Sequence, residues 1–129
     1  MEDAHRTSES ETIKTVLIVE DEEDISLILS QVLREELRVR AVVARDGFAA
    51  LKIMRTIQPD LFVVDYQMPA MDGLELVDIL RAKPESADIP ILFMSARPPW
   101  SDLKQRHLLC LEKPFELDAF ARQAKELLA

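Results

Sequence analysis

The sequence predicts an α/β domain: a doubly wound, parallel five-stranded sheet with helices on both faces. Two observations carry this. Short apolar runs alternate five times with segments of helical period, the pattern that right-handed strand–helix–strand crossovers require. Most of these runs are also continuous rather than alternating in polarity, as strands covered on both faces are.

Taken in order, Val16-Leu17-Ile18-Val19 reads as a first buried strand, ending in the acidic run Glu20 to Asp24. Acids suit the first turn of a helix because they offset its macrodipole. Ile25, Ile28, Leu29, Val32 and Leu33 then follow at i, i+3, i+4, i+7 and i+8, one apolar stripe of a helix. Val39 to Ala44 is a second strand. Asp46-Gly47 opens a helix carrying Phe48, Leu51 and Met54, and Pro59 closes that segment. A third strand, Leu61 to Val64, stops at Asp65. Past a loop with Pro69, Asp72 and Glu75 have the spacing of a capping box. Their helix runs through Leu74, Val77 and Leu80 to Pro84. Ile89 to Met94 is a fourth strand. Pro98-Pro99 forbid a helix start at that point, so only a short fourth helix fits between Trp100 and Arg106. Leu108 to Leu111 is a fifth strand with a weak pattern, and Leu117, Phe120, Ala121, Ala124 and Leu127 line a last helix.

Residues 1–14 are polar and mixed in charge, and read as a disordered N-terminal extension; residues 15–129 form the folded domain. That extension lacks the apolar core of a signal peptide, and no apolar run is long enough to span a bilayer. A cytoplasmic location is expected. The formal net charge of −8 disfavours binding to nucleic acid or to anionic membrane, both of which need surplus Lys and Arg. A single cysteine, Cys110, excludes an internal disulfide. With only Gly47 and Gly73 as glycines, those two are expected where the backbone is special.

Doubly wound sheets bind ligands beyond the carboxyl ends of their strands. Four positions lie there: Glu20-Asp21, Asp65, Ser95 and Lys113. Three carboxylates converging at one edge repel unless a cation joins them, and hard oxygen donors of this kind suit Mg²⁺. Ser95 adds a hydroxyl and Lys113 a point positive charge. The set describes phosphoryl transfer to a carboxylate, with Asp65 as nucleophile and Glu20 and Asp21 as metal ligands.

The segments VLIVEDEEDI, LFVVDYQMPAMDGLEL, PILFMSA and LEKPF resemble, in order and spacing, the signature blocks of response-regulator receiver domains over residues 15–129. The resemblance implies a flavodoxin-like fold with strand order 2-1-3-4-5. It aligns Asp65 with the phospho-acceptor, Asp21 with the main metal-binding acid and Glu20 with the acid before it. The Gln67 carbonyl would be a further Mg²⁺ ligand, Ser95 the switch hydroxyl and Lys113 the lysine paired with the phosphoryl group, with a cis Lys113-Pro114 bond. Gln67 and Arg97 align with positions that tune phosphoryl lifetime. The implied donor is a sensor histidine kinase or a histidine phosphotransfer protein, the implied output a downstream protein partner, and the only catalysis is of the domain's own phosphorylation and dephosphorylation. A second reading keeps the fold as an interaction module that is not phosphorylated, a pseudo-receiver.

Two departures from the family stand out. Cys110 occupies the position of the switch aromatic, three before the lysine, so output through a rotating ring is not expected. The span from Ser95 to Lys113 is short by about one helical turn. Trp100, next to it, reads either as a partner anchor or as cover for the gap that a short helix leaves.

Overall fold

A computed structural model describes residues 13–129; the expected extension therefore lies, but for Ile13 and Lys14, outside the described residues. Five strands, β1 (Thr15–Val19), β2 (Arg40–Ala44), β3 (Leu61–Asp65), β4 (Ile91–Ser95) and β5 (Leu109–Glu112), alternate with α1 (Glu23–Val32), α2 (Gly47–Ile53), α3 (Gly73–Ala82), α4 (Trp100–Gln105) and α5 (Leu117–Leu128). All pairings are parallel, in the order β2-β1-β3-β4-β5. This is the expected flavodoxin-like arrangement.

The continuous apolar runs have a simple cause: side chains alternate across the sheet, and both faces are covered. Val16, Ile18, Leu61, Val63, Leu92 and Met94 pack with α1 and α5 residues such as Leu29, Phe120 and Ala124. Leu17, Val19, Phe62, Val64, Ile91 and Phe93 pack on the other face with Ala50, Val77, Leu80 and Leu103 from α2, α3 and α4. β5 is an edge strand, only half covered, which explains its weak pattern.

Several sequence expectations are refined. β4 begins at Ile91 rather than Ile89, because Pro90 has no N–H for the ladder; its carbonyl accepts the Phe62 N–H instead. The α1 stripe does not end at Leu33: the chain widens into a π-helical turn, Leu33–Leu37, closed by Arg38 in the left-handed region. Within the stripe Ile28 is 46% exposed, and Phe48 of α2 is 57% exposed, so neither is core. The short α4 appears where the proline pair leaves room. Trp100 is 59% exposed and does not act as cover; Leu103 is the buried residue of α4.

Neither glycine has positive φ; among the described residues the left-handed ones are Arg38, Ala70 and His107. Glycine is required by close approach instead. A Cβ on Gly73 would stand 2.5 Å from the Asp65 carbonyl oxygen, which ties the start of α3 to the end of β3. Among the described residues, no helix is long and apolar enough to cross a membrane.

Candidate functional site

The site forms at the carboxyl ends of β1, β3 and β4, where the loops leave the sheet. Glu20 directly follows β1, and its amide donates to the Ala44 carbonyl at 3.0 Å, extending the β1–β2 ladder by one bond. Its side chain is buried, and one oxygen accepts the Glu22 N–H at 3.1 Å. Asp21 is exposed beside it. Asp65 is the buried last residue of β3. Each of Glu20, Asp21 and Asp65 offers a carboxylate oxygen, and these oxygens lie within 4.8 Å of one another.

Lys113 reaches into this cluster from the end of β5. Its Nζ lies 2.8 Å from Asp65 Oδ1 and 3.3 Å from Glu20 Oε1. Its own N–H donates to the Ser95 carbonyl at 2.9 Å, and the Lys113-Pro114 bond is cis, as the resemblance implied. Burial holds the Asp65 carboxyl above the usual carboxylate range despite Lys113, with Asp21 and Glu22 adding like charge. Burial also raises Glu20, against its bond from the Glu22 amide, with Asp65 adding to the rise. For Lys113, burial disfavours the ammonium, yet Asp65 and Glu20 together hold it above its ordinary value.

One ammonium therefore faces three carboxylates, two of them buried. That leaves a surplus of negative charge on hard oxygen donors, a set that a divalent cation such as Mg²⁺ fits and a soft metal does not.

The other expected residues fall as follows. Ser95, buried at the end of β4, sits one register step beyond the Asp65–Met94 pair. Its Oγ accepts the Arg97 N–H at 3.0 Å. Gln67 is exposed on the loop two residues past Asp65, and Arg97 is exposed two residues past Ser95. Cys110 is half-buried against the α2–α3–α4 side of the core, and burial pushes its thiol up to about 11. A thiol raised in this way carries little thiolate at neutral pH.

Two features of the site escaped the sequence. One is the simultaneous contact of Lys113 with Glu20, which depends on strands far apart in the chain. The other is an apolar groove of about 450 Å³ beside Lys113, lined by Ile25, Ile28, Pro114, Phe115 and Leu117 among others. Ile25, Ile28 and Leu117 lie on apolar helix stripes and Pro114-Phe115 on a loop, and only the tertiary packing shows that together they line a groove.

The sequence matches the family described as response regulator receiver domain over residues 16–124. It is 33% identical over 118 residues to heme response regulator HssR of Staphylococcus saprophyticus, covering 88% of this chain and 51% of that protein. It is 43% identical over 83 residues to sensor histidine kinase TmoS of Ectopseudomonas mendocina, covering 64% of this chain and 8% of that protein. The chain thus spans about half of one relative and a small part of the other. Among solved structures, response regulator TrrA of Thermotoga maritima, in complex with Mg²⁺-BeF, superposes with a TM-score of 0.80 at 31% identity, covering 90% of this chain and all of that one. Sequence match, strand order and the carboxylate–lysine cluster agree: the chain belongs to the response-regulator receiver domain family of two-component signalling.

Proposed function

We propose that this receiver is a Mg²⁺-dependent phosphorylation switch that accepts a phosphoryl group on Asp65. The observation that carries the reading is the placement of Lys113 Nζ between Asp65 and Glu20 at the carboxyl end of the sheet. The fold alone needs no such assembly, because burying two acids and a lysine beside a third carboxylate is costly.

In this reading an Asp65 carboxylate oxygen forms the new O–P bond as the P–N bond of a phosphohistidine breaks. The imidazole leaves with the electron pair and is protonated. Glu20, Asp21, Asp65 and the Gln67 carbonyl would hold a Mg²⁺ ion, whose charge would offset that of the transferring group. Lys113, already against Asp65, pairs with a phosphoryl oxygen. Ser95 turns its hydroxyl to donate to another, while Gln67 and Arg97 tune how long the aspartyl phosphate survives. The chemistry is confined to the chain's own Asp65, so the domain acts as a switch and not as an enzyme with a separate substrate.

The donor is a sensor histidine kinase or histidine phosphotransfer protein. The groove of Ile25, Ile28, Pro114, Phe115 and Leu117 borders Lys113, so an apolar helix face docked there brings a phosphohistidine to Asp65. Output is through a downstream protein partner in the cytoplasm; the net charge of −8 gives this domain no basis for binding nucleic acid or anionic membrane.

Intact-mass spectrometry after incubation with acetyl phosphate and Mg²⁺ tests the reading. Wild type is expected to gain one phosphoryl adduct that vanishes without Mg²⁺ and in Asp65→Asn. A folded wild type that gains none would instead make the domain a pseudo-receiver, an interaction module only.

A further inference from the structure

Ser95 is tied down in the resting protein. Its Oγ accepts the Arg97 N–H at 3.0 Å, so a χ1 rotation that carries Oγ toward a group on Asp65 gives up that bond and leaves the Arg97 amide to solvent. The bonds of the segment that follows run forward into α4: the Trp100 N–H donates to the Pro98 carbonyl and the Leu103 N–H to the Pro99 carbonyl, both at 2.9 Å. Pro98 and Pro99 have no N–H to donate, Ala96 and Arg97 are exposed, and Trp100 is 59% exposed.

The other end of α4 is fixed. Leu103 is buried in the core. Arg106, the residue that ends α4, makes a two-pronged ion pair with Asp78 of α3, at 2.8 and 3.0 Å. It also donates to the Asp102 carbonyl at 3.0 Å, while Arg81 of α3 donates to the Arg106 carbonyl. A change released at Ser95 therefore has one outlet, the N-terminal end of α4, where the indole stands. β5 offers no equivalent, since Cys110 is small and packed against the core.

We propose that Trp100 is the residue that reports the state of Asp65, coupled to it by the Ser95–Arg97 hydrogen bond acting as a latch. This rests on Asp65 being the phospho-acceptor. When Ser95 turns inward, the latch opens and Arg97 to Trp100 shift as a unit about the fixed end of α4. The signal is then displayed by a tryptophan on the loop side of the site instead of by an aromatic on β5.

Trp100 is the only tryptophan in the chain, so intrinsic fluorescence of the full chain reads it directly, excited at the red edge to silence Tyr66. With acetyl phosphate and Mg²⁺, the emission maximum is expected to shift to the blue in proportion to the adduct measured by mass on the same sample. Without any phosphodonor, Ser95→Ala and Ser95→Val, which both remove the acceptor of the latch, are each expected to lower the fluorescence anisotropy of Trp100, with circular dichroism confirming the fold. Full adduct with unmoved emission would overturn the coupling. Wild-type anisotropy in both folded variants would overturn the latch. Absence of the adduct would instead sink the phospho-acceptor reading, and the phosphodonor-free arm would still decide the latch.

Discussion

Gly47 and Gly73 form a matched pair for measuring what close approach costs. Each is the first helical residue behind an aspartate, Asp46 or Asp72, whose carboxylate accepts an amide of the first turn. Alanine at either position gains similar helix propensity, up to about 1 kcal/mol, and this cancels in the comparison. The neighbours differ. A Cβ on Gly73 would meet the Asp65 carbonyl oxygen at 2.5 Å, Phe93 Cε1 at 2.9 Å and Tyr66 Cα at 3.0 Å; two are backbone atoms and the third belongs to a buried ring. For a Cβ on Gly47 the three nearest atoms all belong to Met71, Sδ, Cγ and Cβ, an unbranched chain that can swing away. Overpacking against rigid surroundings costs about 1–3 kcal/mol. Net of the helix gain, Gly73→Ala should lose about 1–2 kcal/mol, while Gly47→Ala stays within about 0.5 kcal/mol of wild type. In urea, with a slope of about 2 kcal/mol/M, the two midpoints should differ by roughly 0.5–1 M, read by circular dichroism. Because the Gly73 clash falls on the carbonyl of Asp65 itself, that variant should also take up the phosphoryl group more slowly. Equal midpoints, or the reverse order, would refute the argument that the β3–α3 corner is set by steric contact at Gly73.

Further outcomes follow from the site and its surroundings. Millimolar Mg²⁺ should raise the melting temperature of wild type, since a ligand at ten times its dissociation constant adds about 1.4 kcal/mol; Asp21→Ala should lose most of that gain, and an equal gain in the variant would remove Asp21 from the metal site. Arg106 holds the Asp78 carboxyl below its usual value of 3.8. A depressed folded value means that the pair stabilises above that pH and is lost as pH falls through the lowered value. Arg106→Gln should thus cost about 0.5–1 kcal/mol at neutral pH, near the top of the range for a solvent-screened pair because the contact is two-pronged. The gap from wild type should close in acid, and a pH-independent gap would mean that packing, not charge, is what Arg106 supplies. Finally, a Cys110 thiol moved from 9.0 to about 11 holds about a hundredfold less thiolate at pH 8 than an ordinary one. Iodoacetamide should therefore label the native protein far more slowly than the urea-unfolded chain, and comparable rates would contradict the packing of Cys110 against the core.

Much of the fold was legible along the chain because its causes are local. Continuous apolar runs marked β1, β3 and β4, since a strand covered on both faces has no polar side to show. The Asp72–Glu75 capping box announced the start of α3 and is present with both of its hydrogen bonds. The Pro98-Pro99 pair confined α4 to the short stretch that it occupies. The positions of Glu20, Asp21, Asp65, Ser95 and Lys113 followed from the ends of those strands.

The sequence by itself determined which residues end each strand, and hence which chemistry gathers at the carboxyl edge of the sheet, because strand ends are set by local hydrogen-bonding capacity and hydrophobic period. Only the tertiary structure decided which of the apolar residues stay uncovered, as Ile28, Phe48 and Trp100 do, since a helical period names a face but not the neighbour that covers it. It also decided the reach of Lys113 to both Glu20 and Asp65, the Arg106–Asp78 clamp on α4 and the rotamer that puts Ser95 on the Arg97 amide. The first two join residues far apart in the chain, which meet only once the strands and helices between them have packed. The last is local in sequence, but a hydroxyl rotor is chosen by its surroundings.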